Sequence, residues 1–101
     1  MYGTIAKLQV RPGKQDKFLA VMAELGKTPP PEFVAADSYR MDADPDELYL
    51  VVLFESKEAY HANANRPETH ADYLKWSAFL TAEPEWHDGE VIQAMEMESS
   101  K

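Results

Sequence analysis

Seven consecutive residues, Leu48-Tyr49-Leu50-Val51-Val52-Leu53-Phe54, carry apolar or aromatic side chains with no polar residue among them. The run is far too short to cross a bilayer as a helix, and its length and its Val, Tyr and Phe content suit a strand that needs cover on both faces. A domain of 101 residues buries only roughly two-thirds of its unfolded surface, and its helices can cover one face of a four-stranded sheet. The other face is therefore expected to meet the same face of a second copy.

The rest of the chain supplies the remaining elements of such a sheet. Ala6, Leu8 and Val10 alternate with Lys7 and Gln9, giving a half-buried first strand closed by the turn residues Arg11-Pro12-Gly13-Lys14. From Gln15 to Leu25, at about 100° per residue, Phe18, Val21, Met22 and Leu25 share one helical face, and Gly26 ends the helix. Thr28-Pro29-Pro30-Pro31 lacks three successive backbone donors and reads as a stiff connector. Residues 33–41 and 48–55 form a hairpin around the polar turn 42–47. Ser56 caps a helix over 57–65, and Pro67 opens another over 67–80, with Glu68 near its N-terminus. On that helix His70, Tyr73, Trp76 and Ser77 share an apolar arc with Leu74 and Leu80. Alternation over 90–97 predicts a last strand, and 98–101 a frayed tail. The predicted order is β-α-β-β-α-α-β: one α+β domain over residues 1–97, of the split βαβ, ferredoxin-like plan with an antiparallel four-stranded sheet.

Composition narrows the partners. Asp and Glu total 18 against 10 Lys and Arg, a formal charge of −8, which disfavours nucleic acid and anionic membranes as partners. With no cysteine there is no disulfide framework, thiolate zinc site or cysteine nucleophile. Together with a first strand that starts where a signal peptide would, this leads us to expect a cytoplasmic protein. Asp42, Asp44 and Asp46 imitate the start of a calcium loop, but Pro45, Glu47 at the turn-glycine position and Leu53 at the final-glutamate position deny it the geometry. The three histidines, 61, 70 and 87, lack the close pairing of a zinc site, and Glu83, Glu85, Asp88 and Glu90 read as a solvated acidic rim.

Three blocks carry a family likeness: Ala6-Lys7-Leu8-Gln9-Val10-Arg11-Pro12-Gly13-Lys14, Tyr49 through Tyr60, and Arg66-Pro67-Glu68-Thr69-His70. In this order and spacing the chain resembles the antibiotic biosynthesis monooxygenases of the dimeric α/β-barrel superfamily, over residues 2–97. The resemblance implies a homodimer paired sheet to sheet into an α/β barrel, with a ligand held between the sheet and the later helices. It implies activities ranging from cofactor-free oxygenation of quinols and aromatic polyketides to haem degradation. The haem-degrading members are implied to need a late-helix histidine, a tryptophan that ruffles the porphyrin and a first-strand asparagine. Here His70 falls a few residues from the histidine position, Asn63 stands at the tryptophan position and Ala6 near the asparagine, so haem degradation is not expected.

Oxygenation without a cofactor requires a substrate that supplies its own electrons, since triplet oxygen reacts slowly with closed-shell molecules until one electron is transferred. The anion of a hydroquinone or anthrone can make that transfer. The protein then contributes a base, an apolar cavity for a flat ring and polar groups that orient its oxygens. His70 is the histidine expected on a buried helical face, and imidazole titrates near about pH 6.5, as a neutral-pH base should. Tyr60, Asn63, Tyr73, Trp76 and Ser77 are the expected ring walls and hydrogen-bonding groups, whereas His61, His87 and Arg66 are expected at the surface. The leading expectation is a small cofactor-independent monooxygenase of a quinol-like or polycyclic phenolic substrate, with oxygen and a small aromatic molecule as its partners. The alternative is a non-enzymatic or stress-related dimeric barrel that binds small aromatics.

Overall fold

The computed structural model describes residues 1–95. Its elements follow the predicted order: β1 (Tyr2–Gln9), α1 (Gln15–Leu25), β2 (Phe33–Arg40), β3 (Glu47–Phe54), α2 (Lys57–Ala64), α3 (Pro67–Ser77) and β4 (Glu85–Glu90). The four strands form one antiparallel sheet in the order β2-β3-β1-β4, the ferredoxin-like arrangement. Because strand side chains alternate between faces, the register sorts the sheet cleanly. Thr4, Ala6 and Leu8 lie beside Val52, Leu50 and Leu48 on one side, and Thr4 and Ala6 beside Asp88 and Trp86 on the other. These residues face the helices. Close approach of β1 to β3 depends on Gly3, where a Cβ would collide with the Val52 carbonyl oxygen.

The core lies between the helix-facing side of β1 and β3 and the helices α1 and α3. Ala6, Leu8, Val10, Phe18, Leu48, Leu50, Trp76 and Leu80 form it, with Leu19, Val21, Met22, Leu25, Val52, Tyr73 and Phe79 packed around them. Phe18 anchors α1, meeting Trp76 and Phe79 edge-on at centroid distances of 6.2 and 6.4 Å. Among the described residues no helix covers the opposite side of the sheet. There Tyr49, Val51 and Leu53 of β3 are only half-buried, and Ile5 and Tyr39 stand 50% and 55% exposed.

Three local expectations are corrected. The last strand lies at Glu85–Glu90 rather than over 90–97. Its place is set by β1, which begins at Tyr2 opposite Glu90; past the Val91 N–H bond to the Met1 carbonyl, no strand remains to pair with. As an edge strand it needs no apolar alternation, and all six of its residues are exposed. Residues 96–97 of the predicted strand and the predicted tail lie outside the described residues. α3 ends at Ser77 instead of 80, because Leu80 leaves the helix to bridge Val10 and is buried. Gly26 does cap α1, but in a right-handed conformation (φ −71°), so the position uses its small size and not its left-handed freedom.

The aspartate turn anchors the hairpin. Asp44 Oδ1 accepts from the Asp46 N–H at 3.0 Å, and Asp46 Oδ1 accepts from Gln15 Nε2 at 2.9 Å, so these carboxylates are committed to the loop and to the start of α1.

Candidate functional site

The helix-facing side of the sheet is filled at one end and hollow at the other. A cavity of about 960 Å³ opens there, within the range of about 300–1,000 Å³ typical of small-molecule sites. Its floor is the sheet: Thr4, Leu50, Val52 and Phe54 from the two central strands, Phe33 and Ala36 from β2, and Trp86 and Asp88 from β4. α2 and α3 form the roof, and Met22, Leu25 and the connector residues Thr28, Pro29 and Pro30 close one end.

α2 enters through a well-made cap. Ser56 is extended and its Oγ accepts from the Ala59 N–H at 3.0 Å, while Ala59 packs inward. One residue on, Tyr60 reaches down into the cavity wall, its ring 5.4 Å from Tyr2 and 5.9 Å from Phe54. Its hydroxyl donates to Asp88 Oδ1 at 2.8 Å, tying α2 to β4. Burial, and next the hydrogen bond to Asp88, push the phenol up to about 12, partly offset by the neighbouring Thr4 hydroxyl. Tyr60 is thus held as a neutral donor, not a phenolate.

Between α2 and α3, Asn63 forms a polar knot. Its Oδ1 accepts from Thr69 Oγ1 at 2.8 Å and, at 3.5 Å, from Arg66 Nη1. Pro67 at the first helical turn then starts α3. Three-residue spacing places His70, Tyr73 and Trp76 on the cavity side of that helix. Trp76 is 8% exposed and packs edge-on against Tyr73 at 4.9 Å and Trp86 at 6.1 Å, so both tryptophans of the chain share the wall.

Of the residues picked out from sequence, the structure brings Tyr60, Asn63, His70, Tyr73 and Trp76 to this one cavity and leaves Ser77 outside it. Ser77 ends α3, next to the Trp76 and Phe79 rings that fill the core against Phe18. His70 is not on a buried face, as its apolar neighbours had suggested, but exposed at the edge of the lining. His61, exposed as expected, nevertheless lines the cavity, its ring 5.5 Å from Tyr60, and Arg66 lines it half-buried. His87 points to the helix-free side and lies 3.5 Å from Glu85. The acidic rim is divided likewise, since Asp88 belongs to the cavity and Glu85 does not.

Sequence reasoning missed Thr4, Trp86 and Asp88. A signal for Thr4 was present: it is the one polar residue in step with Ala6, Leu8 and Val10. Trp86 and Asp88 had none while their strand was placed five residues later. Among the described residues no group of three His, Asp or Glu side chains is placed to hold a metal ion, and no helix is long and apolar enough to cross a membrane.

A sequence model of the family described as antibiotic biosynthesis monooxygenase matches residues 1–75, from β1 into α3. The chain belongs to this family. Solved structures extend the likeness over the whole fold. SnoaB, a cofactor-independent oxygenase from Streptomyces nogalater solved as an asparagine-to-alanine variant, superposes with a TM-score of 0.80 at 14% identity, covering 95% of this chain and 97% of its own. A family protein from Chloroflexus aurantiacus gives 0.76 at 22% identity, covering 94% and 96%. A conserved protein from Methanosarcina mazei gives 0.75 at 17% identity, covering 87% and 89%. At these identities the likeness is one of fold. No curated protein matches the chain in sequence.

Proposed function

We propose that this family member is a cofactor-independent monooxygenase that oxidises a quinol-like or polycyclic phenolic substrate. The observation that carries the reading is the cavity itself: a hollow of about 960 Å³ walled by Phe33, Phe54, Tyr60, Tyr73, Trp76 and Trp86, with polar side chains set among the rings, which suits a flat aromatic with ring oxygens. Membership of the family and the fold shared with SnoaB, itself a cofactor-independent oxygenase, add support.

In this reading His70 takes a proton from the bound substrate, and the resulting anion gives one electron to oxygen. Recombination of the two radicals forms a carbon–peroxide bond. For an anthrone-like substrate, loss of the second hydrogen from the same carbon with cleavage of the O–O bond leaves a ketone, and the other oxygen atom departs as water. Tyr60 and Asn63 orient the ring oxygens, and Tyr73 and Trp76 hold the ring planes.

We further propose that two copies pair through the helix-free side of the sheet, where Ile5, Tyr39, Tyr49, Val51 and Leu53 otherwise remain in water. Light scattering at micromolar concentration tests this. A dimer is expected, and Val51→Glu, which sets a second negative charge beside its cross-strand neighbour Asp37, is expected to yield monomers. A wild-type monomer contradicts the pairing.

A ligand-sequestering role is favoured by one feature. The His70 imidazole is exposed and, among the described residues, is held by no side-chain hydrogen bond. Oxygen consumption with a series of hydroquinones and anthrones separates the two roles. Turnover that falls by about a hundredfold in His70→Ala supports the enzyme with His70 as base. Equal turnover by both proteins removes His70 from the chemistry, and binding without oxygen uptake favours sequestration.

A further inference from the structure

At one point the cavity floor contains a buried polar atom with no partner. Thr4 sits on the central strand β1, 4% exposed, and forms part of the cavity wall; among the described residues its Oγ1 meets no partner in full hydrogen-bonding geometry, the Tyr60 hydroxyl being its polar neighbour. An unmade bond at a buried hydroxyl is costly, and valine would fill the same strand position with the same shape and better β-preference. Its surroundings define what would complete it. Directly across the strand pair stands Asp88, whose Oδ1 is occupied by the Tyr60 hydroxyl. The carboxylate has capacity to accept a further bond.

We propose that Thr4 and Asp88 together recognise an uncharged ring hydroxyl of the aromatic substrate, Thr4 by donating to its oxygen and Asp88, the specificity-determining residue, by accepting its proton. The hydroxyl donates to the free oxygen of Asp88 in place of solvent and accepts from Thr4, so that the buried Thr4 hydroxyl is satisfied when it is bound. A keto or ether oxygen has no proton for Asp88. A carboxylate, sulfate or phosphate on the ring meets Asp88, and the further acidic residues Asp72 and Glu68 in the same lining, against one arginine. The site thus selects neutral phenols and rejects anionic aromatics. This inference rests on the cavity being an aromatic-binding site, as proposed above.

The test is calorimetric titration at neutral pH with β-naphthol, its methyl ether and β-naphthoate, on the wild type and on Thr4→Val and Asp88→Asn, together with their melting temperatures. The wild type is expected to prefer β-naphthol to the ether by about tenfold and to bind the naphthoate most weakly. Thr4→Val is expected to melt higher than the wild type and to bind β-naphthol and its ether more weakly by similar factors, the opposite signs in stability and binding that a merely structural threonine would not give. Asp88→Asn is expected to lose most of the preference for naphthol over the ether and to admit the naphthoate. Equal binding of naphthol and ether by the wild type, or a lower melting temperature for Thr4→Val, overturns the recognition role and leaves the aromatic cavity standing. Failure of all three probes to bind the wild type overturns the aromatic-site reading itself.

Discussion

The two ends of the helix-facing side of the sheet are built from the same strands and end up with opposite properties. Around Leu8, Leu48 and Phe18, each at most 2% exposed, α1 and the end of α3 fill the space above the sheet. A few residues away on the same strands, Thr4, Val52 and Phe54 floor a cavity bounded by small side chains at Ala36 and Ala64. The difference lies in the roof. Phe18, Phe79 and Trp76 interlock over the packed end, whereas over the open end α2 reaches the floor through Tyr60 on Phe54 and Asp88, and α3 through Trp76 on Trp86. Alternation in a strand records which side is turned from water, not whether anything fills the space above it.

Truncation at the packed end is expected to have the largest effect. Phe18→Ala removes the ring that joins α1 to α3 and is expected to cost about 3–5 kcal/mol in denaturant unfolding; a loss below about 1 kcal/mol would show that this end is not close-packed.

Enlargement should separate the two ends more sharply. Leu8→Phe forces a ring into filled space and is expected to cost about 1–3 kcal/mol. Val52→Phe places the same ring toward the hollow, so its cost should stay within about 0.5 kcal/mol while affinity for flat aromatics drops. Equal costs at both positions would erase the distinction.

The smallest effect is expected at the Tyr60 to Asp88 bond, which is partly solvated. Tyr60→Phe should cost about 0.5–1 kcal/mol at neutral pH. Its pH dependence has a definite sign. The folded phenol, raised to about 12 from an ordinary value of 10.0, keeps its proton where the unfolded one loses it. The wild type's advantage over Tyr60→Phe is therefore full below pH 10 and declines as pH rises toward 12. Unfolding of both proteins across that range checks it, and an advantage that grows with pH would contradict the assigned hydrogen bond.

What was legible in the sequence follows the same division. The apolar run at Leu48–Phe54, the α1 stripe and the Ser56 and Pro67 helix starts each answer to a local rule, and each stands within a residue or two of its predicted place. β4 answers to no local rule: an exposed edge strand is located by the length of β1, a nonlocal fact. Its misplacement hid Trp86 and Asp88 from the site. Helical spacing brought His70, Tyr73 and Trp76 to one side of α3, but periodicity alone could not tell that Trp76 belongs to both core and cavity wall, that His70 is exposed, or that Ser77 falls past the hollow. Glycine at position 3 is a similar case, since only the pairing with Val52 reveals why a side chain is excluded.

The central claim is that the open end of the sheet holds an electron-rich aromatic for reaction with oxygen. Its most direct test is oxygen consumption and product analysis with a phenolic anthrone, 1,8-dihydroxyanthrone, under air and under anaerobic conditions, using protein freed of metal by chelation. The account predicts one oxygen consumed per ketone formed, at a rate above that of the uncatalysed reaction, abolished without oxygen and suppressed by Val52→Phe. Oxygen uptake no faster than in buffer, for anthrones and hydroquinones alike, would contradict it.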